Sequence, residues 1–197
     1  MFEVELADKK VISYILKRFN IHAKHRLGQN FLVRADVVKA IAEAAELTEE
    51  SCVLEIGPGI GILTQALART GAAVTAVEID KSLEKVLLYT LEPYENINII
   101  YEDILKLNLY ELMQGKIWKI AANLPYYITT PILIYLIQTE LPISIFVFMM
   151  QKEVAARIMA SPGTKDYGAL TLAILFYSTA EIVMDVPPSS FIPKPAV

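Results

Sequence analysis

The residues best suited to chemistry are Asn123, Leu124, Pro125 and Tyr126, which follow an apolar, strand-like run at residues 117–122. An Asn amide and a backbone carbonyl can hold an exocyclic amino group by hydrogen bonds, while an aromatic ring stacks on the planar base that carries it. Pro125 fixes the turn and lacks an N–H that would compete. These four residues therefore predict a site for the amino group of a nucleobase.

A glycine-rich loop lies upstream, at residues 55–61 (EIGPGIG). Gly57, Gly59 and Gly61 follow a predicted strand and precede a predicted helix, a placement that lets the backbone turn tightly and approach a ligand closely. Glu78 lies at the end of the next predicted strand, where an acid accepts hydrogen bonds from the ribose hydroxyls of an adenosine. The loop and the acid together predict a nucleotide-cofactor site.

Two residues favour one nucleotide cofactor over another. The dinucleotide fingerprint requires a glycine at position 62, where this chain has Ile62. Glu55 would repel a pyrophosphate but can pair, directly or through water, with an ammonium. The pattern therefore favours S-adenosylmethionine (SAM), whose methionyl end is zwitterionic, over NAD. A plain glycine-rich turn is the remaining alternative.

Asp103 follows the third predicted strand. It is placed to accept a hydrogen bond from the amino group of the cofactor adenine, and Ile104 beside it can pack on the ring. Taken alone, Asp103 suits a solvated turn better, but the glycine loop and Glu78 favour the binding role.

Strands and helices alternate along the chain and position these residues. The predicted helices cover residues 8–20, 36–47, 63–69, 82–91, 131–138 and 151–159. The predicted strands cover residues 52–56, 73–79, 97–101, 117–122, 143–150, 170–176 and 180–186. This spacing is typical of a doubly wound parallel sheet. The predicted fold is therefore α/β and Rossmann-like, with a mostly parallel seven-stranded sheet, its last two strands antiparallel, and helices on both faces.

The composition excludes several classes of protein. No apolar stretch approaches the ~20 residues of a membrane helix, and the charged N-terminus has no secretory-signal pattern. The lone Cys52 excludes an internal disulfide and a multi-cysteine metal site, and its apolar setting predicts a buried structural thiol. We therefore expect a cytoplasmic protein with no membrane partner and no metal.

The charge is unevenly distributed. The net charge of −4 argues against general nucleic-acid binding. Eight Lys or Arg residues against four acids give residues 1–40 a net charge of +4, which leaves −8 for the remainder. A phosphate-contacting arm and an ordinary solvated helix face explain the basic segment equally well.

Taken together, the motifs resemble the ribosomal RNA adenine N6-dimethyltransferase family, and within it the small-subunit branch. They occur in the family's order from residue 22 to the end of the chain. The matching pieces are residues 27–32 (LGQNFL), 55–64 (EIGPGIGILT), 77–80 (VEID), Asp103, 123–126 (NLPY), 151–154 (QKEV), 167–168 (YG) and 191–195 (FIPKP).

This resemblance implies which residues surround the cofactor. It assigns Asn30, Leu32, Gly57, Glu78, Asp103 and Asn123 to the SAM site, with Gln29 in support. With the residues of the glycine loop and strand ends included, the predicted cofactor-binding set is Gln29, Asn30, Leu32, Glu55, Gly57, Gly59, Glu78, Ile79, Asp103, Ile104 and Asn123.

The resemblance also implies a domain organisation. The family normally continues beyond the Pro-rich segment 191–197 into a small helical domain, which this sequence lacks. We therefore expect a SAM-dependent catalytic domain at residues 22–197 without that domain. Residues 1–21 form a predicted basic helical extension, longer than the family usually has before its Gln-Asn-Phe-Leu motif.

With an RNA adenine as substrate, residues 123–126 become the predicted catalytic residues. The Asn123 side-chain oxygen and the Leu124 carbonyl accept the two N–H bonds of the N6 amine, which frees its lone pair to attack the sulfonium methyl. Tyr126 stacks on the flipped base and Phe191 clamps its other face, although both rings also suit a core position. Positioning and electrostatics supply the rate, with no metal and no covalent intermediate.

The expected substrate is single-stranded or locally irregular RNA, because only there are base edges open. The resemblance implies adjacent adenines near the 3′ end of small-subunit ribosomal RNA, within a pre-30S particle, and a monomeric enzyme. The candidate phosphate contacts are Lys24, Arg26, Lys152 and Arg157, of which the last two equally suit solvated helix positions.

Three alternatives remain. Pro58 and Leu124 favour the small-subunit branch over the macrolide-resistance branch, which methylates an adenine of large-subunit RNA. DNA adenine and protein glutamine methyltransferases more often have Asn-Pro-Pro-Tyr, so Leu124 disfavours both. A ribosome-assembly factor with little catalysis is the third, and the intact Asn123, Tyr126 and Glu78 argue against it.

Overall fold

A computed structural model describes residues 4–24, 27–125 and 128–195. In chain order they form helix α1 (Lys9–Arg18), strand β1 (Phe31–Leu32), helix α2 (Ala35–Ala44), strand β2 (Cys52–Ile56), helix α3 (Ile62–Ala68), strand β3 (Ala73–Val77), helix α4 (Glu84–Thr90), strand β4 (Ile97–Ile100), helix α5 (Leu109–Leu112), strand β5 (Trp118–Asn123), helix α6 (Thr129–Gln138), strand β6 (Ile143–Met149), helix α7 (Lys152–Ile158), helix α8 (Ala169–Tyr177) and strand β7 (Phe191–Ile192).

The centre of the fold is a five-stranded sheet in the order β4-β3-β2-β5-β6. Each neighbouring pair of strands is parallel. Strand β2 lies in the middle and all its residues are buried, as expected where helices cover both faces of a parallel sheet. Chain order reverses on the two sides of β2, so the carboxyl ends of β2, β3 and β5 meet at the crevice where open α/β sheets bind ligands.

Two hydrophobic cores lie on opposite faces of this sheet. Alternate residues of β2 divide between them, with Val53 in one and Leu54 in the other. The first core is built with buried residues of α1 to α4 and the second with buried residues of α5 to α8. The predicted α/β class, parallel sheet and two-sided helical covering are confirmed.

Helix α1 packs into the first core. Asp8 caps its N-terminus by accepting from the backbone N–H groups of Lys10 and Val11, and Ile12 and Ile15 are buried on its inner face. The segment before it is held by buried Gln65, which accepts from the Leu6 N–H at 2.9 Å. The N-terminal helix therefore shares its core with the rest of the fold.

Two short strands bring distant parts of the chain together. Strands β1 and β7 are antiparallel, with Leu32 opposite Phe191. The Val33 N–H donates to the Ser190 carbonyl at 2.8 Å and extends this pairing. Neither strand was predicted, because a two-residue strand leaves no alternation to detect.

Two predicted strands are wrong. Residues 170–176 lie in helix α8, and residues 180–186 form no strand with any part of the chain that the structure describes. Short apolar runs do not distinguish a strand from a helix. Thr171 stabilises the helical conformation of residues 170–176. Its hydroxyl accepts from the Gly168 N–H at 3.1 Å and donates to the Arg157 carbonyl at 2.6 Å, and these bonds connect the start of α8 to α7. The main sheet therefore has five strands instead of seven.

Among the residues that the structure describes, we find no helix that combines the length and apolar character needed to cross a bilayer.

Candidate active site

A pocket opens at the carboxyl ends of β2, β3 and β5. All the residues predicted to bind the cofactor line it, together with Pro125. They come from segments far apart in sequence, which the parallel sheet and the β1 segment bring to one edge. Their individual binding roles remain predictions, but the predicted clustering is present.

The glycine loop turns from β2 into α3 with positive φ angles. Gly57 has φ +73°, and a Cβ built there meets no described atom within 4 Å, so its open side faces space that a ligand can fill. Gly61 has φ +90°, and a Cβ there would lie 2.9 Å from Cδ2 of Leu91. The positive φ favours glycine at Gly61, and a side chain there would also displace the Leu91 side chain.

Glu78 follows β3 and is buried, with 4% exposure. Its Oε2 accepts from the Gly59 N–H at 3.1 Å and its Oε1 from the Asp80 N–H at 2.8 Å. Burial raises the pKa of Glu78, and these backbone donors oppose that shift. The carboxyl group is thereby fixed against the glycine loop, with lone pairs left to accept from ribose hydroxyls.

Glu55 lies in β2 and also lines the pocket. It is 1% exposed, and its Oε2 has no hydrogen-bond partner among the described residues. The pKa of Glu55 is raised to about 8, mainly by burial. Thr64 lowers the pKa in part, and the charge of Glu78 raises it further. An acid of this kind lacks a cationic partner, which an ammonium group of a ligand would supply.

A third part of the pocket is formed by Asp103, Ile104 and Ile79. Asp103 Oδ1 accepts from the Leu105 N–H at 3.0 Å, which fixes the carboxyl group at the end of β4. Ile104 is buried, whereas Ile79 is 48% exposed. An exposed apolar side chain beside a fixed carboxylate offers both a surface and an acceptor for a purine.

Asn123 ends β5, and its side-chain orientation is defined by a hydrogen bond. Its Nδ2 donates to the Asn30 carbonyl at 3.3 Å, which leaves Oδ1 as an acceptor for a ligand. The next residue, Leu124, is buried at 1% exposure and its N–H donates to the Met149 carbonyl at 3.0 Å. Pro125 lines the pocket, while Tyr126 lies outside the described residues.

The structure describes four of the six residues predicted to contact RNA. Lys24 forms an ion pair with Asp80 at 2.7 Å, and Phe191 is 8% exposed in the first core. Lys152 is 84% exposed and lies 3.7 Å from Asp185. Arg157 is exposed on α7, and Arg26 lies outside the described residues.

Sequence reasoning missed the role of Asp80, which contacts Gln29 of the pocket wall. Its carboxylate accepts hydrogen bonds from Lys24 and Gln29, which connects the end of β3 to the segment before β1. Burial alone would raise the pKa of Asp80, but hydrogen bonds from Lys24, Ser82 and Gln29 outweigh that effect and lower it to about 2. The position of Asp80, two residues after Glu78, was the available signal, but its partner is far away in sequence.

The pocket residues fit S-adenosylmethionine. Glu55 is a buried acid with an unpartnered oxygen, which suits the cofactor's ammonium group. Gly57 leaves open space for the cofactor, Glu78 offers acceptors for ribose, and Asp103 with Ile79 suits adenine.

Comparison with known proteins places this geometry in context. A family model described as "Ribosomal RNA adenine dimethylase" matches residues 18–197. A ribosomal RNA small subunit methyltransferase A from Alkaliphilus metalliredigens is 45% identical over 187 residues, which cover 93% of this chain and 65% of the relative. The protein of the same description from Lachnoclostridium phytofermentans is 46% identical and covers 98% of this chain and 68% of the relative. This chain thus spans about two thirds of the length of these curated relatives.

Solved structures give a matching result. A dimethyladenosine transferase from Plasmodium falciparum superposes with a TM-score of 0.72 and 31% identity, covering 84% of this chain and 59% of that one. The 23S rRNA methyltransferase ErmE superposes with a TM-score of 0.71 and 31% identity, covering 85% of this chain and 66% of that one.

Proposed function

The chain belongs to the ribosomal RNA adenine dimethylase family, and from that premise we propose that it transfers methyl groups from SAM to the N6 amino group of adenine in small-subunit ribosomal RNA. We place the target at adjacent adenines near the 3′ end, in a pre-30S particle in the cytoplasm. We further propose that the enzyme is a monomer. Residues 22–197 form the proposed catalytic domain and residues 1–21 its extension.

The observation that carries this proposal is the orientation of Asn123 at the mouth of the pocket. Because its Nδ2 is committed to the Asn30 carbonyl, its Oδ1 is available to accept from an amino group. An exocyclic adenine amine has two N–H donors, and Oδ1 of Asn123 and the Leu124 carbonyl are the acceptors proposed for them. Adenine bound in this way holds its nitrogen lone pair away from the ring and free for attack.

The cofactor half of the site supplies the other reactant. We assign Glu78 to the ribose, Asp103 and Ile104 to the adenine, and Glu55 to the ammonium group. When bound, SAM supplies the electrophilic methyl group. The protein's own contribution is to hold the amine in position, with fixed acceptors that need no reorganisation during the reaction.

The RNA must present an unstacked adenine. Pro125 shapes the turn beside the pocket, and Tyr126 is the residue proposed to stack on the extruded base. Arg26, Lys152 and Arg157 remain the proposed phosphate contacts, of which Lys152 and Arg157 are exposed. The fourth predicted contact, Lys24, is paired with Asp80 instead. Clamping by Phe191 requires its buried ring to leave the core.

Substitution of Asn123 by Ala tests the proposal. We expect kcat for tritium transfer from labelled SAM to small-subunit RNA to fall about 100-fold, because one fixed acceptor is removed. Calorimetry with S-adenosylhomocysteine should show that the cofactor pocket still binds. Asn98→Ala, which removes an exposed side chain of β4, is the matched control and should keep wild-type activity. Transfer by Asn123→Ala near the wild-type rate would contradict the mechanism.

The same assay distinguishes the alternative substrates. Naked small-subunit RNA, immature 30S particles and large-subunit RNA are compared at equal concentration. Preferred transfer to large-subunit RNA would identify the activity described for ErmE instead. Tight binding to immature particles without transfer to any RNA would identify an assembly factor and reject the enzymatic proposal.

A further inference from the structure

Asp80 joins the end of β3 to the segment before β1. Its Oδ1 accepts from Lys24 Nζ at 2.7 Å, its Oδ2 accepts from Gln29 Nε2 at 3.0 Å, and Ser82 Oγ donates to Oδ1 at 2.6 Å. Asp80 is 6% exposed, and its bonds to Lys24, Gln29 and Ser82 are partly buried. We call this group of four residues the Asp80 clasp.

Gln29 makes the clasp rigid on the side of the N-terminal segment. Its Oε1 accepts from the Lys24 N–H at 3.0 Å while its Nε2 donates to Asp80. The amide group therefore closes the loop from Lys24 to Gln29 and fixes it to β3 at the same time. Residues 25 and 26 of that loop lie outside the described part of the chain.

Gln29 of the clasp directly precedes Asn30, whose carbonyl contacts Asn123. The carbonyl of Asn30 accepts from Asn123 Nδ2 at 3.3 Å, and the Asn30 side chain donates to the Gly28 carbonyl at 3.0 Å. If the Asn30 carbonyl moved away, the Asn123 amide could turn over and present its Nδ2 group to an incoming amine. Two donors would then face each other and the amine would no longer bind.

We propose that Asp80 is a positioning residue: through Lys24 and Gln29 it holds the Asn30 carbonyl where it orients the Asn123 amide for the reaction. This inference rests on the proposed function of Asn123. Asp80 itself is assigned no contact with substrate or cofactor. The same segment supplies Gln29, Asn30 and Leu32 to the pocket wall, so the clasp also supports cofactor binding.

The contacts of Lys24 assign it a role other than phosphate binding. Its side chain is 35% exposed and its ammonium donates to both Asp80 and Ser82, the latter at 2.8 Å. A group committed to a buried carboxylate is a poor phosphate contact, because its departure would leave the buried Asp80 charge without a cationic partner. Removal of the Lys24 ammonium should thus affect the chemical step more than RNA affinity.

Asp80→Asn tests the proposal with little change in side-chain volume. We expect kcat, counted per site that binds S-adenosylhomocysteine in calorimetry, to fall about tenfold or more, as for other small misplacements of catalytic groups. The affinity for S-adenosylhomocysteine should fall severalfold, and amide hydrogen exchange at residues 27–33 should become faster. Asp36→Asn is the matched control, since Asp36 pairs with Arg34 on the exposed side of α2 and should leave all three measurements unchanged.

Expressing kcat per binding site distinguishes a positioning role of Asp80 from a role in folding alone. A purely structural role would lower the number of binding sites and leave kcat per site at the wild-type value, which would overturn the proposal. Lys24→Met supplies a second test if Asp80→Asn folds poorly. This variant should lower kcat per site without raising the KM for RNA. A raised KM with unchanged kcat would mean that Lys24 binds phosphate, and it would overturn the proposed role of the clasp.

The outcome also remains distinct from the proposed function. If the wild-type chain binds S-adenosylhomocysteine but methylates no RNA, the proposed function fails. If the wild type methylates RNA and both variants match it per site, only the clasp fails.

Discussion

Glu55 is a carboxyl group in the central strand of a parallel sheet, where strands normally carry apolar side chains. It lies on the same side of β2 as Val53, under α3, and its Oε2 has no hydrogen-bond partner among the described residues. Retaining an unpaired buried acid costs stability. A role of Glu55 in ligand binding explains why this cost is retained, since Glu55 lines the pocket.

Glu55→Gln should remove a pH dependence from the stability of the chain. The pKa of Glu55 rises from 4.5 to about 8 on folding, mainly because of burial. The folded state therefore keeps a proton that the unfolded state has released, and the stability contribution is full below the lower value. It falls by about 1.4 kcal/mol per pH unit as the pH rises toward the upper one. Urea unfolding at about pH 5.5 and about pH 7.5 measures this slope.

Comparison of the wild-type slope with that of Glu55→Gln isolates Glu55, because Glu78 is present in both proteins and Asp80 stays ionised in both over this pH range. Glu43→Gln is the control, since that carboxylate is 66% exposed on α2 and its removal leaves Glu55 in place. The control should keep the wild-type slope, whereas Glu55→Gln should show a flatter one. Equal slopes in all three proteins would mean that Glu55 is already ionised in the folded chain.

Residues were predictable where their role depends on neighbours in sequence. Glu78, Asp103 and Asn123 each follow a recognisable strand, so a parallel sheet brings them to one edge. Asp80 is equally close to a strand, yet its role depends on Lys24, which no local pattern connects to it. Long-range side-chain pairing is set by tertiary packing, so the local sequence around Asp80 does not identify its partner.

Among the strands and helices, predictions succeeded where a local sequence pattern identifies the element and failed where no such pattern exists. Strand β2 was predicted with its observed bounds, because five apolar-rich residues before a glycine loop fit no other element there. Helix α8 was predicted as a strand because it is apolar on all sides and carries no helical stripe. Its Leu172, Leu175 and Phe176 are all exposed, so burial did not shape its pattern.

Helix α1 gives a prediction about the N-terminal extension. Ile12 is fully buried in the first core, so Ile12→Ala should lower the free energy of unfolding by about 2–5 kcal/mol. Ser13→Ala, at the next and exposed position, should change it by less than about 0.5 kcal/mol. Urea unfolding measures both. If Ile12→Ala is as stable as Ser13→Ala, α1 does not belong to the cooperative fold.

At the scale of the whole molecule, the charge asymmetry follows the path of the chain. The exposed side of α1 carries lysines while Ile12 and Ile15 face the core. The chain then continues through Phe19, which packs against the first core, toward the pocket wall at Gln29 and Asn30. The basic segment therefore precedes the pocket wall along the chain, while the rest of the molecule is acidic, an arrangement that makes α1 a candidate for contact with RNA phosphates.

Phosphate contacts on α1 would determine part of the salt dependence of RNA binding. In a variant with Lys9→Gln, Lys10→Gln and Lys17→Gln, the slope of log affinity against log salt should become shallower by about 0.7 for each phosphate that is no longer neutralised, or about 2 in total. A control replaces Lys39, Lys116 and Lys165, exposed lysines outside α1, with Gln. Because the net charge changes equally in both variants, an equal change in slope would assign the effect to overall charge. A change confined to the α1 variant would place phosphate contacts on that helix.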